Sequence, residues 1–320
     1  MRDTARTCRV HPPVRWARHR GPMAKQKAFL LVGLPHTALP LLIAALEQHR
    51  DQLADHGVRV PAKSADETFR AAVELRREHR AWGLRRKDVE GTWTAIVRRA
   101  VKHRDTVVVG HQLLAGATTD EIALLSDGLA GTQLHVVVMA GPPDGRLGLF
   151  PDELDLAGVL SRWQGAVTAP DRVHVVVSDP ADPAVAWRAL GALTGFDADR
   201  LPVPAPSSAV GVADTATLRL IAETSGLHVE HDELVEVAEE WGKVVADRGY
   251  DVVGDLSDLV PVRPAAATDP ARAAYDDRVD ILADALTEAV AEVGRLRERL
   301  AAAEQRAKKT ERRRRRLLAG

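Results

Sequence analysis

Five short apolar runs, separated by stretches with helical periodicity, constrain the fold of this chain more than any other feature. The runs are residues 28–33, 58–61, 105–110, 133–139 and 172–177, and the last three are rich in valine. Strands buried on both faces have this composition, and strands that alternate with helices form parallel sheets. The sequence therefore predicts an α/β fold over residues 24–262, with a mostly parallel five-stranded sheet and helices on both faces.

The stretches between the runs have the 3.6-residue periodicity of amphipathic helices. They are residues 37–56, 64–80, 87–103, 118–130, 151–167 and 183–193, and two further helical patterns follow at 213–226 and 231–247. Ligands of parallel sheets bind where strands end at their carboxyl termini. We therefore expect the functional loops at residues 33–37, 110–118, 139–151 and 178–183.

Composition limits the class of protein. The net charge at pH 7 is −1, and the chain has one cysteine, Cys8. This charge gives no general field for nucleic acid, and a single cysteine excludes a disulfide or a cysteine zinc site within one chain. No apolar stretch approaches the ~18–20 residues that cross a bilayer. The single cysteine favours a cytoplasmic protein. We also expect no metal site, because His228, His231 and Asp232 have the spacing of a helix surface.

The two ends of the chain differ from the predicted domain. Residues 1–23 are basic, and because Met23 leads directly into the first apolar run, we expect a disordered or mis-assigned extension. A nucleic-acid-binding arm is the alternative interpretation. Residues 263–272 are rich in proline and alanine and predict a linker, and residues 273–318 predict one long helix.

The long helical pattern has apolar residues at heptad spacing. They are Val279, Leu282, Leu286, Ala289, Val293, Leu296, Leu300, Ala303 and Ala307. This spacing is typical of a coiled coil, so residues 273–307 predict a homodimer or a contact with a partner helix. A lone solvated helix is the alternative. The basic end, ERRRRRLLAG, predicts a solvated charged tail, with a contact to nucleic acid or an anionic membrane as its alternative.

The loop after the first run, LVGLPHTALP, predicts an anion site. A glycine lets the backbone approach an anion, and a helix N-terminus presents free N–H groups with a partial positive charge. The residues concerned are Gly33, Leu34, Pro35, His36, Thr37 and Ala38, and the Thr37 hydroxyl is expected to cap the helix. The nucleotide triphosphatase pattern is absent, because Leu39 and Pro40 stand in the places of its lysine and hydroxyl residue.

Six segments in colinear order resemble actinobacterial sulfotransferase-like proteins. VGLPHTALPLLIAAL is similar to that family's V-G-L-P-K-T-G-T-T loop, and the others are HRDTVVVGHQLLAGAT, LHVVVMA, GVLSRWQGAVTAPDRVHVVVSDP, SSAVGVADTATLRLI and DRGYDVVGDLSDLVP. The resemblance implies a P-loop-like fold and 3′-phosphoadenosine-5′-phosphosulfate as cofactor. It implies sulfuryl transfer to a hydroxyl or amine of a small-molecule or glycan acceptor.

The resemblance also implies roles for individual residues. His36 stands where the family has a lysine on the phosphosulfate, and His111, at the end of the third strand, is the candidate base. Arg146, Ser207 and Ser208 are the remaining candidates for the 3′-phosphate. Gly141 replaces the family's arginine after the fourth strand. The chain therefore has fewer basic side chains at the cofactor positions than the family has. This difference predicts either a sulfotransferase with a weakened cofactor site or an inactive pseudoenzyme that assembles through its coiled coil.

Overall fold

The computed structural model describes residues 25–34, 37–143, 155–178, 182–203 and 231–262. The predicted N-terminal extension, the helix at 213–226, the linker at 263–272 and the coiled-coil helix at 273–318 lie outside these residues. Within them the chain is an α/β domain, as predicted. None of the described helices is long and apolar enough to cross a membrane.

The sheet has six parallel strands in the order β2-β3-β1-β4-β5-β6. They are β1 (Lys27–Gly33), β2 (Val58–Arg59), β3 (Thr106–Gly110), β4 (Gln133–Ala140), β5 (Val173–Val177) and β6 (Asp251–Val253). The predicted number, five, was wrong. The sixth strand has three residues and begins with aspartate, so it is too short for an apolar run, and only its pairing with β5 makes it a strand.

Nine helices of the described residues surround the sheet. They are α1 (Leu39–Gln48), α2 (Arg50–Asp55), α3 (Ala65–Leu75), α4 (Arg86–Val89), α5 (Thr92–Ala100), α6 (Thr119–Gly128), α7 (Leu156–Gln164), α8 (Pro183–Thr194) and α9 (His231–Asp247). Two predicted helices, 37–56 and 87–103, are each divided. The second divides at Gly91, whose φ of +85° is a left-handed conformation that a helix interior does not accommodate.

Two hydrophobic layers enclose the sheet. Alternate residues of β1 enter each layer, with Leu30 and Val32 on the side of α3, α5, α6, α7 and α9, and Phe29 and Leu31 on the side of α1, α2 and α8. These sides are called the α3 face and the α1 face below. Because both faces are covered, the central strands are buried at every position beyond their amino ends, which explains the continuous apolar runs.

The connections leave the central strands toward opposite faces. The chain passes from β1 to α1 on the α1 face, whereas the connections after β3 and β4, the two neighbours of β1, lead to α6 and α7 on the α3 face. Loops that separate in this way open a crevice above the carboxyl ends of the strands, where ligands of such sheets bind. The topology therefore places the loop after β1 at the expected binding position.

Candidate functional site

The turn after β1 is tightly closed over Gly33. A Cβ atom added at Gly33 would lie 2.7 Å from Leu39 Cδ2 and 2.9 Å from Thr37 Oγ1. The next residue is fixed to the neighbouring strand, because the Leu34 amide donates to the carbonyl of Met139 at 3.2 Å. Leu39 is fully buried in the α1-face core. Glycine is therefore required at position 33 by the fold of the turn itself.

The Thr37 hydroxyl makes its hydrogen bond within this turn and not with the helix. It donates to the Leu34 carbonyl at 2.9 Å, and Thr37 is buried. Helix α1 begins after Ala38, which makes no side-chain cap hydrogen bond. The prediction that Thr37 caps the helix was thus wrong, because Ala38 is the N-cap residue and α1 has no side-chain cap hydrogen bond. The first turn of α1 contains no acidic residue, so its N–H groups remain suited to an anion.

His111 follows β3 and begins a 3-10 turn at Gln112–Gly116. Its Nδ1 atom accepts a hydrogen bond from the Leu113 amide at 3.2 Å. Its Nε2 atom is buried and has no hydrogen-bond partner among the described residues. The ring is 1% exposed, and burial lowers the pKa of His111 from 6.5 to about 4. At neutral pH the imidazole is therefore uncharged.

These contacts fix the tautomer of His111. Because Nδ1 accepts from a backbone N–H, the single proton of the neutral ring lies on Nε2. The free nitrogen can then donate a hydrogen bond but cannot accept a proton. The centroid of the His111 ring lies 5.8 Å from that of Phe69 of α3, which places the ring on the α3 face. The loop after β1, in contrast, continues to helix α1 on the α1 face.

Five of the predicted site residues lie within the described part of the chain. Gly33, Leu34, Thr37 and Ala38 lie together at the carboxyl end of β1, and His111 directly follows the neighbouring strand β3 with its ring directed toward α3. The other candidates, Pro35, His36, Arg146, Ser207 and Ser208, lie outside the described residues. Their roles stay predictions.

Three side chains that the sequence interpretation missed hold the turn after His111. Arg76 Nη1 donates to the Leu113 carbonyl at 3.1 Å, and Trp163 Nε1 donates to the Leu114 carbonyl at 3.1 Å. Arg162 donates to the carbonyls of Ala115 and Ala117 at 3.0 and 3.1 Å. Arg162 and Trp163 belong to the quoted R-W-Q segment, which was the available signal. The turn is therefore fixed from two helices, α3 and α7.

A small pocket lies between α1 and the start of α3, at the ends of β2 and β3. Its polar groups are already paired within the protein. Glu47 accepts from the Ala65 amide at 3.2 Å, and Arg50 donates to the Val60 carbonyl at 2.8 Å and to that of Ala62. Thr68 donates to the Ser64 carbonyl at 3.3 Å. The pocket is therefore mainly a cleft between packed elements.

Among the described residues, no group of three or more histidine, cysteine, aspartate or glutamate side chains is arranged to hold a metal ion. No protein-family model, curated protein or solved structure matches this chain. The resemblance to sulfotransferase-like proteins therefore depends on the quoted segments alone.

Proposed function

We propose that this chain is a catalytically inactive, sulfotransferase-like α/β protein that acts in assembly through its C-terminal segment. The observation that carries this proposal is the state of His111. Its Nδ1 atom accepts from the Leu113 amide, its free Nε2 atom bears a proton, and burial lowers its pKa to about 4. A general base must have an accessible lone pair and a pKa close to the working pH.

The turn after β1 supports the same conclusion. The Thr37 hydroxyl donates to Leu34, and Leu39 fills the space over Gly33. Sulfuryl transfer requires donors that neutralise the charge developing on the bridging oxygen. Helix α1 offers backbone N–H groups for this purpose, and Pro40 in its first turn removes one of them. The described residues of the loop supply no positive side chain.

The assembly role rests on the heptad pattern of residues 273–307, and it is tested by sedimentation equilibrium. The full chain is expected to self-associate, and Leu296→Lys, at a core heptad position, should weaken this because it buries a charge in the seam. Ala291→Lys is the matched control, since it adds the same charge at an outer heptad position. Equal association of the two variants, or a monomeric full chain that captures no partner, would contradict the proposal.

Sulfuryl transfer from 3′-phosphoadenosine-5′-phosphosulfate is the second candidate function. It is supported by the position of the Gly33 turn at the topological switch point. The test is a thermal unfolding scan of the full chain with and without 3′-phosphoadenosine-5′-phosphate. Ligand at a hundred times its dissociation constant adds ~2.7 kcal/mol to the unfolding free energy, which corresponds to several degrees.

A glycine variant makes this scan specific for the turn. Gly33→Ala should abolish the thermal shift, because the new methyl group would meet Leu39 and Thr37 at less than 3 Å. Gly242→Ala on α9, where nothing lies within 4 Å, is the control and should retain it. A shift that both variants retain would place the ligand elsewhere. No shift at millimolar ligand would leave the cofactor without a site and remove the second candidate.

A further inference from the structure

Three titratable side chains form a hydrogen-bonded row across β4, β5 and β6. His135 Nδ1 lies 2.8 Å from His174 Nε2, and His174 Nδ1 lies 2.6 Å from Asp251 Oδ2. The residues stand at the amino ends of their strands, which is the end of the sheet opposite the Gly33 turn. The row therefore has no part in the candidate site.

The row lies under the core of the α1 face. Phe29 of β1 stacks on the His135 ring with centroids 4.7 Å apart, and the two histidine rings are 12° from parallel. His135 and His174 are 8% and 5% exposed, whereas the Asp251 side chain is 46% exposed. The Nε2 atom of His135 is buried without a hydrogen-bond partner among the described residues. Solvent thus reaches the row mainly at its carboxylate.

The spacing of the row limits how many protons it can hold. Because Asp251 accepts from His174 Nδ1–H, the contact between His174 Nε2 and His135 Nδ1 must contain a single proton, donated by one ring and accepted by the other. A fully protonated pair has four N–H groups. Two of these would then point at each other across 2.8 Å. The pair can therefore bind three protons in this geometry, and the fourth requires the rings to separate.

We propose that Asp251, His174 and His135 form an acid-sensitive clamp that fixes the edge strand β6 to β5 and β4, and that opens when the histidine pair binds its fourth proton. Strand β6 depends on such a clamp because it has only three residues, which pair with β5 alone at His174, Val175 and Val176.

The sign of the pH effect follows from His135. Burial, the charge of His174, and then Lys27 and Arg172 lower the pKa of His135 from 6.5 to about 4, with Asp171 acting in the opposite direction. A lowered pKa means that the closed clamp is favoured above pH 6.5 and loses this advantage as the pH falls toward 4. Between pH 7.5 and pH 5 the opening constant should rise about 30-fold.

Amide hydrogen exchange of the full chain tests the clamp. Between pH 7.5 and pH 5 the amides of β6, corrected for intrinsic exchange rates, should lose about 30-fold of their protection. His135→Phe keeps a ring against Phe29 and removes the titrating group, so its β6 amides should show no such loss. His103→Phe, at an exposed histidine, is the matched control and should respond as the parent does.

Two results would overturn the proposal. One is β6 protection that does not change between pH 7.5 and pH 5 in the parent protein, and the other is a pH response that His135→Phe retains. If that variant does not fold, nitrogen-15 spectra of the parent's histidine side chains decide the question. The fourth N–H proton of the pair should appear as the β6 amides lose protection. A fourth N–H proton on a protected β6 would refute the clamp.

Discussion

The burial of His111 makes a quantitative prediction about acid stability. Its pKa is about 4 in the folded chain and ~6.5 in an unfolded one. Since the folded pKa is lowered, the stabilisation by His111 is present above pH 6.5 and is lost as the pH falls toward 4. Between pH 7 and pH 4.5, proton binding by the unfolded state should reduce the free energy of unfolding by about 2 kcal/mol on account of this residue.

His111→Leu isolates this contribution. The variant loses the hydrogen bond from the Leu113 amide, which costs about 1 kcal/mol, but this loss is the same at both pH values and cancels in their difference. We expect the difference in unfolding free energy between pH 7 and pH 4.5 to be about 2 kcal/mol smaller in the variant than in the parent. Urea unfolding, followed by circular dichroism at each pH, measures it. His103→Leu, at an exposed site, is the control.

The same experiment bears on function. If His111→Leu and the parent lose equal stability on acidification, His111 does not titrate with a lowered pKa and the argument from its burial fails. A pKa near 6.5 for His111 in a direct proton titration would have the same meaning. The imidazole would then be available as a base at neutral pH, and sulfuryl transfer would replace the inactive interpretation.

Two further predictions concern the packing around the crevice. Gly110→Ala should reduce the free energy of unfolding in urea by about 3 kcal/mol or more, because the new Cβ would lie 2.2 Å from the Leu31 carbonyl oxygen in the central strand. Gly242→Ala, where the new Cβ meets open space, should stabilise helix α9 by up to ~1 kcal/mol. Equal effects of the two variants would contradict the close approach of β1 and β3. Asp155→Ala should reduce the free energy of unfolding by about 2 kcal/mol, because this carboxylate caps α7 at the Gly158 amide and accepts from Trp241 Nε1 at 2.6 Å. Asp182→Ala, which removes only a helix cap, should reduce it by about 1 kcal/mol. A larger loss at Asp182 than at Asp155 would refute the double role of Asp155.

Much of the fold was predictable because its elements have local signals. The runs at β1, β3, β4 and β5 and the helix at 231–247 have the predicted positions. Strand β6 was missed because three residues carry no periodicity of their own. The candidate site was predictable only as a place. Glycine at position 33 indicated a tight turn, but the burial of His111 against Phe69 depends on packing between segments that are distant in the chain.

The sequence by itself determined the α/β alternation, the buried strands and the position of the turn after β1, because these follow from hydrophobic periodicity and from residues adjacent in the chain. Only the tertiary structure decided the chemistry of the histidines. His111 is neutral because Phe69 and its neighbours exclude water from it. His135, His174 and Asp251 meet although 39 and 77 residues separate them. Protonation depends on surroundings that distant segments supply, and no local pattern encodes them.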